Sequence, residues 1–211
     1  MNIVRRLTLA GALLFSVSGA LAAAQAGKDY QVINPPQPVE VAGKVEVIEF
    51  FSYACPHCNH LEPSLEGWSA KLPPNVQVKR VPVTFGRTEW VALAKLYYTL
   101  EVMGVVDKMN GKVFQAIHDQ HVNLTTGEAC TDWAAKQGLD PKKFADVFNS
   151  FGVQAKLQRA NMKAQTYAVD GVPTLIVDGR FRTSPAMAGG NEGALETTDE
   201  LIKMSGKPAP R

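Results

Sequence analysis

The sequence predicts an α/β fold in which an all-helical segment interrupts a core of strands and helices. Three observations lead to this prediction. A nearly continuous apolar run over residues 44–53 is followed by a helix start and by a second strand-like run over residues 76–83. Apolar residues then keep helical spacing over residues 86–165, and strand-like runs return over residues 174–183. This order of elements is that of one α/β core carrying a helical insertion.

The chain divides into four predicted parts. Residues 1–26 have the features of a signal peptide, and residues 27–85 and 166–211 would form the two parts of the α/β core. Residues 86–165 would form the helical insertion domain. A mature protein of about 185 residues is long enough to bury the core of one ordinary domain.

The N-terminal segment predicts export with a cleaved signal peptide. A basic start at Arg5 and Arg6 precedes the apolar stretch 7–21, which is short for a membrane span. Two Ala-x-Ala cleavage sites follow, and they end at Ala24 and Ala26. An uncleaved membrane anchor is the alternative. Export would place the protein in an oxidising compartment.

Charge and cysteine count narrow the class of function. The chain has 22 basic and 20 acidic residues, and two of the basic residues, but none of the acidic ones, lie in the signal peptide. The mature protein is therefore close to neutral, which gives no indication of binding to nucleic acid or to a charged membrane surface. Two of the three cysteines share one motif, which favours redox chemistry over a disulfide scaffold. The third, Cys130, is predicted to be buried and inert, and a reactive or intermolecular thiol is the alternative.

The first α/β part contains three predicted strands and one helix. Residues 30–33 would form a short edge strand, and the apolar run 44–53 would be a central strand covered on both faces. A helix is predicted over residues 56–71, with a kink at Pro63 because a proline removes a helical hydrogen bond. Together with the strand 76–83, this gives a parallel strand–helix–strand unit with a right-handed crossover.

The helical segment is predicted from stripes of apolar residues at helical spacing, which normally face a core. Thr125, with Glu128 three positions later, has the spacing of a capping box at a helix start. Asp140 followed by Pro141 predicts the start of another helix. The stripes comprise Trp90, Leu93, Tyr97 and Leu100, then Val106, Met109, Val113, Phe114 and Ile117, and finally Val153, Leu157, Ala160, Ala164 and Tyr167.

The last part of the chain returns to strands. Two strand-like runs, 174–177 and 180–183, flank Asp178-Gly179, a pair that is typical of a two-residue hairpin turn. The tripeptide Gly171-Val172-Pro173 immediately precedes the first of these runs, and a final helix is predicted over residues 192–205.

The chemistry is predicted from the motif Cys55-Pro56-His57-Cys58, which follows the central strand. Pro56 suits the first position of a helix, so Cys55 would be the N-cap residue. There, free backbone N–H groups and the helix dipole stabilise a thiolate and lower its pKa. Cys58 would lie one turn later, within disulfide reach. The pair is therefore predicted to be a redox-active dithiol in which Cys55 is the nucleophile.

Other interpretations of this motif are a structural disulfide and a zinc site formed by Cys55, His57, Cys58 and His60. A closed zinc site normally takes a second, distant pair of ligands, and the two remaining histidines lie in the helical segment. No metal is therefore expected. His57, in the first turn, would favour the Cys55 thiolate through its imidazole and its backbone N–H, or would be a solvated residue without a role.

The sequence resembles the DsbA family of the thioredoxin superfamily, the periplasmic thiol:disulfide oxidases. Four features carry the resemblance: the 55–58 motif with its Pro-His pair, Glu49 six residues before it, the position of the helical insertion, and Val172-Pro173. The resemblance covers about residues 30–205 and implies a thioredoxin-like fold. Cys130 is additional to the family pattern.

The resemblance also implies roles for residues outside the motif. Glu49 would lie below Cys58 and exchange a proton with its thiol, and a purely structural pairing with Lys79 or Arg80 is the alternative. The family often has a lysine where this sequence offers Arg80. The Val172–Pro173 bond would be cis and would face the disulfide, with the backbone of Val172 offered to an extended substrate peptide.

The expected function is donation of the Cys55–Cys58 disulfide to unfolded, newly exported proteins that carry free cysteines. No cofactor is expected. The resemblance implies a periplasmic location and reoxidation by a DsbB-like membrane protein, and we expect a monomer that binds no nucleic acid. A disulfide isomerase or reductase is one alternative, although only about twenty residues separate the signal peptide from the central strand, too few for the dimerisation domain usual in such isomerases. A peptide-binding or chaperone module with a structural disulfide is the other.

Overall fold

The structure, a computed structural model, describes residues 23–206, so the basic start and the apolar stretch of the predicted signal peptide lie outside the described residues. The strands are β1 (Gln31–Val32), β2 (Val45–Phe51), β3 (Val76–Pro82), β4 (Thr174–Val177) and β5 (Phe181–Thr183). The helices are α1 (Pro56–Ser69), α2 (Thr88–Val102), α3 (Val106–His118), α4 (Gly127–Lys136), α5 (Pro141–Phe148), α6 (Phe151–Thr166) and α7 (Asn191–Ser205).

The five strands form one mixed sheet in the order β1-β5-β4-β2-β3. β2 pairs in parallel with β3 and antiparallel with β4, and the short β1 forms an edge beside β5. Residues 46–51 of β2 are each at most 2% exposed, so the predicted central strand, covered on both faces, is confirmed. The parallel pairing of β2 with β3 around α1 likewise confirms the predicted strand–helix–strand unit.

The helices α2 to α6 lie between β3 and β4 in the chain and pack against the end of β2 through aromatic rings. The ring centroid of Phe51 lies 5.3 Å from that of Tyr97 on α2 and 6.1 Å from that of Phe114 on α3. Tyr53 lies 5.0 Å from Phe114 in an edge-to-face arrangement. Each buried aromatic side chain stabilises the fold by roughly 1.5–3 kcal/mol. The helical segment is thus fixed to the stretch of chain that leads into the cysteine motif.

Across the described residues, none of the helices has the length and apolar character needed to cross a membrane.

The predicted capping box of α4 is wrong by one residue. The N-cap is Thr126, whose hydroxyl accepts from the backbone N–H of Ala129 at 3.2 Å. Thr125 instead bonds the side chain of Asn123 through both its hydroxyl and its backbone N–H. Two adjacent threonines offer the same hydroxyl, and the turn formed by Asn123 decides which of them starts the helix. The predicted start of α5 is confirmed, because Asp140 caps it by accepting from Lys143 N at 2.7 Å.

The hairpin between β4 and β5 turns at Asp178 and Gly179, whose φ angles are 53° and 63°. Positive φ at both central residues is what a type I′ hairpin turn requires, as the sequence predicted. A Cβ added at Gly179 would come within 2.0 Å of Gln37 O, and Gln37 N–H donates to Gly179 O at 2.9 Å. The close approach of the segment before β2 therefore requires glycine at this position as well.

The sequence predicted a kink at Pro63 but did not predict the cis bond before Pro35. Pro63 lies inside α1, which the structure describes as one helix from Pro56 to Ser69, and the expected kink stays a prediction. The Asn34–Pro35 bond is cis, for which the sequence gave no indication.

Candidate active site

Cys55 is the N-cap residue of α1. Its backbone is extended, with φ −87° and ψ 116°, and Pro56 occupies the first turn. Its sulfur accepts from the backbone N–H of Cys58 at 3.4 Å. Cys55 is 7% exposed and Cys58 is 0% exposed, so the first sulfur lies at the surface and the second lies beneath it. Both are free cysteines in this structure.

The two thiols have pKa values shifted in opposite directions. A hydrogen bond from the Cys58 thiol, together with the backbone N–H groups of Cys58 and His57 and the charge of His57, outweighs burial and lowers the pKa of Cys55 from 9.0 to about 6. Burial is the largest cause that raises the pKa of Cys58 well above its ordinary value, and the neighbouring Glu49 and Cys55 act in the same direction. At neutral pH the site therefore holds a thiolate on Cys55 and a thiol on Cys58.

His57 lies two positions after Cys55, on the exposed side of α1. Its ring centroid lies 6.5 Å from that of His60, one turn further along the helix. Within residues 23–206, no three His, Cys, Asp or Glu side chains come together in a way that would hold a metal ion. The exposed His57 side chain lines the cleft described below, and its charge contributes to the lowered pKa of Cys55.

The loop before β4 meets the motif from the other side. Cys55 Sγ lies 3.4 Å from the carbonyl oxygen of Val172, and the Val172–Pro173 peptide bond is cis. A cleft of about 490 Å³ runs past this contact. Its lining comprises His57, His60, residues 170–174, Arg182, residues 184–186, Gly190 and Asn191. Val172 therefore contacts the Cys55 sulfur and also lines this groove.

Glu49 is a buried acid directly behind the motif. It is 1% exposed, and burial raises its pKa from 4.5 to about 8, although the neighbouring Arg80 acts in the opposite direction. Arg80 Nε donates to Glu49 Oε2 at 3.2 Å. Lys79 points to the other face of β3, as alternation along a strand requires, and pairs with Glu46 at 2.6 Å. Arg80, rather than Lys79, is thus the partner of Glu49.

Sequence reasoning missed two polar residues of this site. Glu62 is 4% exposed and accepts from Arg80 Nη2 at 2.9 Å and from Asn110 Nδ2 at 2.6 Å. Asn110 is 2% exposed and accepts from the Tyr53 hydroxyl at 2.6 Å. A signal for Glu62 was present, because it lies four positions after Cys58 and therefore on the same, buried face of the helix. Asn110 interrupts an apolar stripe of α3, which is the usual sign of a polar residue with a buried partner.

Cys130 lies on α4, away from the motif. It is 0% exposed, and its thiol donates to the carbonyl oxygen of Leu124 at 3.2 Å. Burial raises its pKa to about 12, so it stays a covered thiol at neutral pH. The predicted burial of Cys130 is confirmed, and its lack of reactivity stays a prediction.

The fold and this pair of unequal thiols define a thiol:disulfide oxidoreductase with a thioredoxin-like architecture. A model of the DSBA-like thioredoxin domain family matches residues 46–200. The chain belongs to this family.

Individual relatives extend over nearly the whole chain. The thiol:disulfide interchange protein DsbA of Burkholderia cepacia is 43% identical over 204 residues, covering 93% of this chain and 96% of that protein. The protein of the same name from Pseudomonas aeruginosa is 40% identical over 202 residues, covering 96% and 95%. A crystal structure of Pseudomonas aeruginosa DsbA superposes with a TM-score of 0.83 at 41% identity, covering 86% of this chain and 94% of the other. Reduced DsbA1 of Neisseria meningitidis gives a TM-score of 0.77 at 31% identity, covering 87% and 95%.

Proposed function

We propose that this protein donates the Cys55–Cys58 disulfide to newly exported, unfolded proteins and so oxidises their cysteines. The observation that carries the proposal is the position of Cys55 at the N-terminus of α1, where its pKa falls to about 6. A stabilised thiolate favours the reduced enzyme. A disulfide whose reduction is favoured is a strong oxidant of other thiols.

The exchange needs two thiols of one substrate. A substrate thiolate attacks Cys55 Sγ, the Cys55–Cys58 bond breaks, and Cys58 leaves as a thiolate that takes a proton from Glu49. The second substrate thiolate then attacks the substrate sulfur of the mixed disulfide and releases Cys55 as a thiolate. Two electrons pass from the substrate to the enzyme. Of the two substrate protons, one replaces the proton that Glu49 gave to Cys58, and the other goes to solvent.

The proposed roles of the surrounding residues follow from their positions. His57 stabilises the Cys55 thiolate, and Pro56 starts the helix that presents it. The backbone of Val172, beside Pro173, lines the groove in which an extended substrate segment would lie next to the attacked sulfur. The hydrogen bond from Arg80 holds Glu49 in place but does not exclude its proton-transfer role, because the second carboxyl oxygen of Glu49 makes no hydrogen bond to any described residue.

The biological setting is part of the same proposal. The relatives named above are thiol:disulfide interchange proteins, and the N-terminal segment has the pattern of a signal peptide cleaved near Ala24 or Ala26. We therefore place the mature protein in the periplasm as a monomer. A DsbB-like membrane protein would return the dithiol to the disulfide. The insertion domain is proposed to extend over residues 86–165, between the two parts of the thioredoxin-like domain.

One experiment separates this function from its rivals. The oxidised protein is mixed with a reduced, unfolded secreted protein, and the loss of substrate thiols is followed together with the equilibrium between Cys55–Cys58 and glutathione. Rapid stoichiometric transfer, with a disulfide that glutathione reduces readily, is expected. Cys55→Ser and Cys58→Ser are the controls and should transfer nothing. A Cys55–Cys58 bond that resists glutathione would instead indicate a reductase or a binding module with a structural disulfide.

A further inference from the structure

A chain of buried polar groups connects helix α3 to the acid behind the cysteine motif. The Tyr53 hydroxyl donates to Asn110 Oδ1 at 2.6 Å, and Asn110 Nδ2 donates to Glu62 Oε1 at 2.6 Å. Arg80 then bridges the two acids, donating to Glu62 at 2.9 Å and to Glu49 at 3.2 Å. Of these residues, only Arg80 has a side chain with appreciable exposure, 17%.

The charges in this chain do not balance if both acids are ionised. One guanidinium faces two buried carboxyl groups, and a thiolate on Cys55 adds a further negative charge nearby. Burying an uncompensated charge is expensive, so one of the two carboxyl groups keeps a proton. Two acids that share a cation in this way titrate as a coupled pair.

The hydrogen bonds decide which acid keeps the proton. Glu62 receives two donors, at 2.6 and 2.9 Å, whereas Glu49 receives one, at 3.2 Å. Hydrogen bonds to the charged form favour that form, so Glu62 is the anion and Glu49 is the neutral acid. Burial raises the pKa of both and Arg80 lowers the pKa of both, whereas the hydrogen bond from Asn110 lowers the pKa of Glu62 alone.

The direction of the Asn110 amide is itself fixed. Burial raises the pKa of Tyr53 well above its ordinary value, so its hydroxyl remains protonated and donates. Asn110 must therefore turn its carbonyl oxygen to Tyr53 and its NH₂ group to Glu62. A second contact holds α3 in place, because His118 Nε2 lies 2.8 Å from the carbonyl oxygen of Tyr53.

We propose that Asn110 is a positioning residue for thiol–disulfide exchange: by donating to Glu62 it keeps that carboxylate ionised and leaves the proton of the pair on Glu49, where Cys58 can take it. The proposal rests on the function proposed above. It assigns to the helical segment an indirect part in the proton transfer at the motif, through Glu62 and Arg80. The other titratable groups around the pair are Tyr53, Cys55, Cys58, Glu66, Arg80 and Tyr97.

The test follows the step in which Cys58 must lose its proton. Reduced protein is mixed rapidly with oxidised glutathione, quenched in acid, and the decay of the Cys55–glutathione mixed disulfide is measured by mass between pH 6 and 9. In the parent, the rate should rise with an inflexion near the Glu49 pKa of about 8. In Asn110→Leu, Glu62 loses a hydrogen-bond donor and takes up a proton. Because the negative charge of Glu62 then no longer opposes ionisation of Glu49, the inflexion in the decay rate should move down by about one pH unit.

Three further variants separate positioning from stability. Glu62→Gln should lower the inflexion as Asn110→Leu does, and adding Asn110→Leu to Glu62→Gln should produce no further shift, because the amide acts through that carboxylate. Thr99→Val removes another buried hydrogen bond of the helical segment, from Thr99 Oγ1 to Lys95 O at 2.7 Å, and should lower the melting temperature without moving the inflexion. If Asn110→Leu does not fold, Tyr53→Phe frees the same amide and should shift the inflexion in the same direction.

Two outcomes would overturn the proposal. One is an unchanged inflexion in Asn110→Leu with only a lower melting temperature, which would make the residue structural. The other is an equal shift with and without Glu62, which would mean that Asn110 acts by another route. Glutathione is the only partner in this assay, so it gives an answer even if the protein oxidises no unfolded substrate.

Discussion

The backbone N–H of Cys58 donates to the sulfur of Cys55 over 3.4 Å, so the buried half of the motif stabilises charge on the surface half. The same helical turn that covers Cys58 presents Cys55 at its open end. Two cysteines in one short stretch of chain therefore have pKa values that are shifted in opposite directions. Labelling, redox and stability measurements can test this difference in pKa and the parts of the structure that produce it.

Alkylation of the reduced protein should modify Cys55 alone. Cys58 and Cys130 are both 0% exposed and have raised pKa values, whereas the pKa of Cys55 is about 6. With limiting iodoacetamide between pH 5 and 8, we expect each labelled molecule to carry one label. The alkylation rate should level off above pH 6 to 7. Peptide mapping by mass gives the site, and Cys55→Ser should remain unlabelled. Labelling that falls mainly on Cys58 or Cys130 would refute the assignment of the nucleophile.

Replacement of His57 should weaken the protein as an oxidant. In His57→Ser the backbone N–H groups remain but the imidazole charge is lost, so the pKa of Cys55 should rise. Each unit of rise should accompany a fall of about 30 mV in reduction potential, since both correspond to about 1.4 kcal/mol. Alkylation rates and glutathione equilibria measure the two quantities. The equality holds at a pH above both pKa values, and a shifted pKa with an unchanged potential would contradict it.

Relative to Cys55→Ser, the reduced protein should become more stable as pH rises from 6 to 9. The pKa of Cys55 is lower in the folded protein, about 6, than its ordinary value of 9.0. The stabilisation is therefore complete above the unfolded value and is lost as pH falls through the folded value. Relative to Cys55→Ser, the free energy of unfolding should rise by up to about 1.4 kcal/mol per pH unit in this window. Urea unfolding of both reduced proteins at pH 6, 7 and 8 checks the slope, and parallel curves would disprove it.

Replacement of Glu49 should slow the step that needs a proton carrier. In Glu49→Gln, the mixed disulfide with glutathione should resolve about a hundredfold more slowly at pH 8, and the inflexion near pH 8 should disappear. Because the neutral acid and the amide have nearly the same shape, the fold should be retained. Quenched mixing with mass analysis gives the rates. A rate equal to that of the parent from pH 6 to 9 would leave Glu49 with a structural role only.

Adjacent threonines provide an internal control for the start of α4. Thr126→Ala removes the hydroxyl that accepts from Ala129 N and should lower the free energy of unfolding by about 1 kcal/mol. Thr125→Ala leaves that cap in place and should lower the free energy of unfolding by less, since only the exposed hydrogen bonds to Asn123 are affected. Denaturant unfolding of the two variants gives the difference, and the opposite order would restore Thr125 as the cap.

Features that depend on neighbouring residues were predictable from the sequence. Cys55 before Pro56 identified the cap and the start of α1, and Asp178-Gly179 identified the hairpin turn. The apolar run of β2 identified the centre of the sheet. The wrong choice between Thr125 and Thr126 shows the limit of such local signals. Two adjacent threonines can both cap a helix, and the turn before them determines which one does.

Contacts between distant residues were not predictable in the same way. Glu62 and Asn110 are 48 positions apart, and only the packing of α3 against α1 makes them partners. The family resemblance suggested an acid behind Cys58 and an arginine near it, but periodicity could not show that a second acid shares that arginine. The cis bond at Asn34–Pro35 belongs to the same group, since its surroundings come from elsewhere in the chain.

The contact between Cys55 and Val172 spans 117 residues, and the six helices α1 to α6 are synthesised in between. In a chain exported from its N-terminus, the cysteine pair enters the oxidising compartment long before the loop that faces it. During that interval the Cys55 sulfur lacks its contact with Val172, and α1 lacks α7, which follows that loop in the chain. The nascent protein then carries free cysteines, as the proposed substrates do. A finished molecule can therefore pass its disulfide to an unfinished one, but the donor is then reduced, so the number of disulfides in the pair stays the same until another oxidant restores the donor.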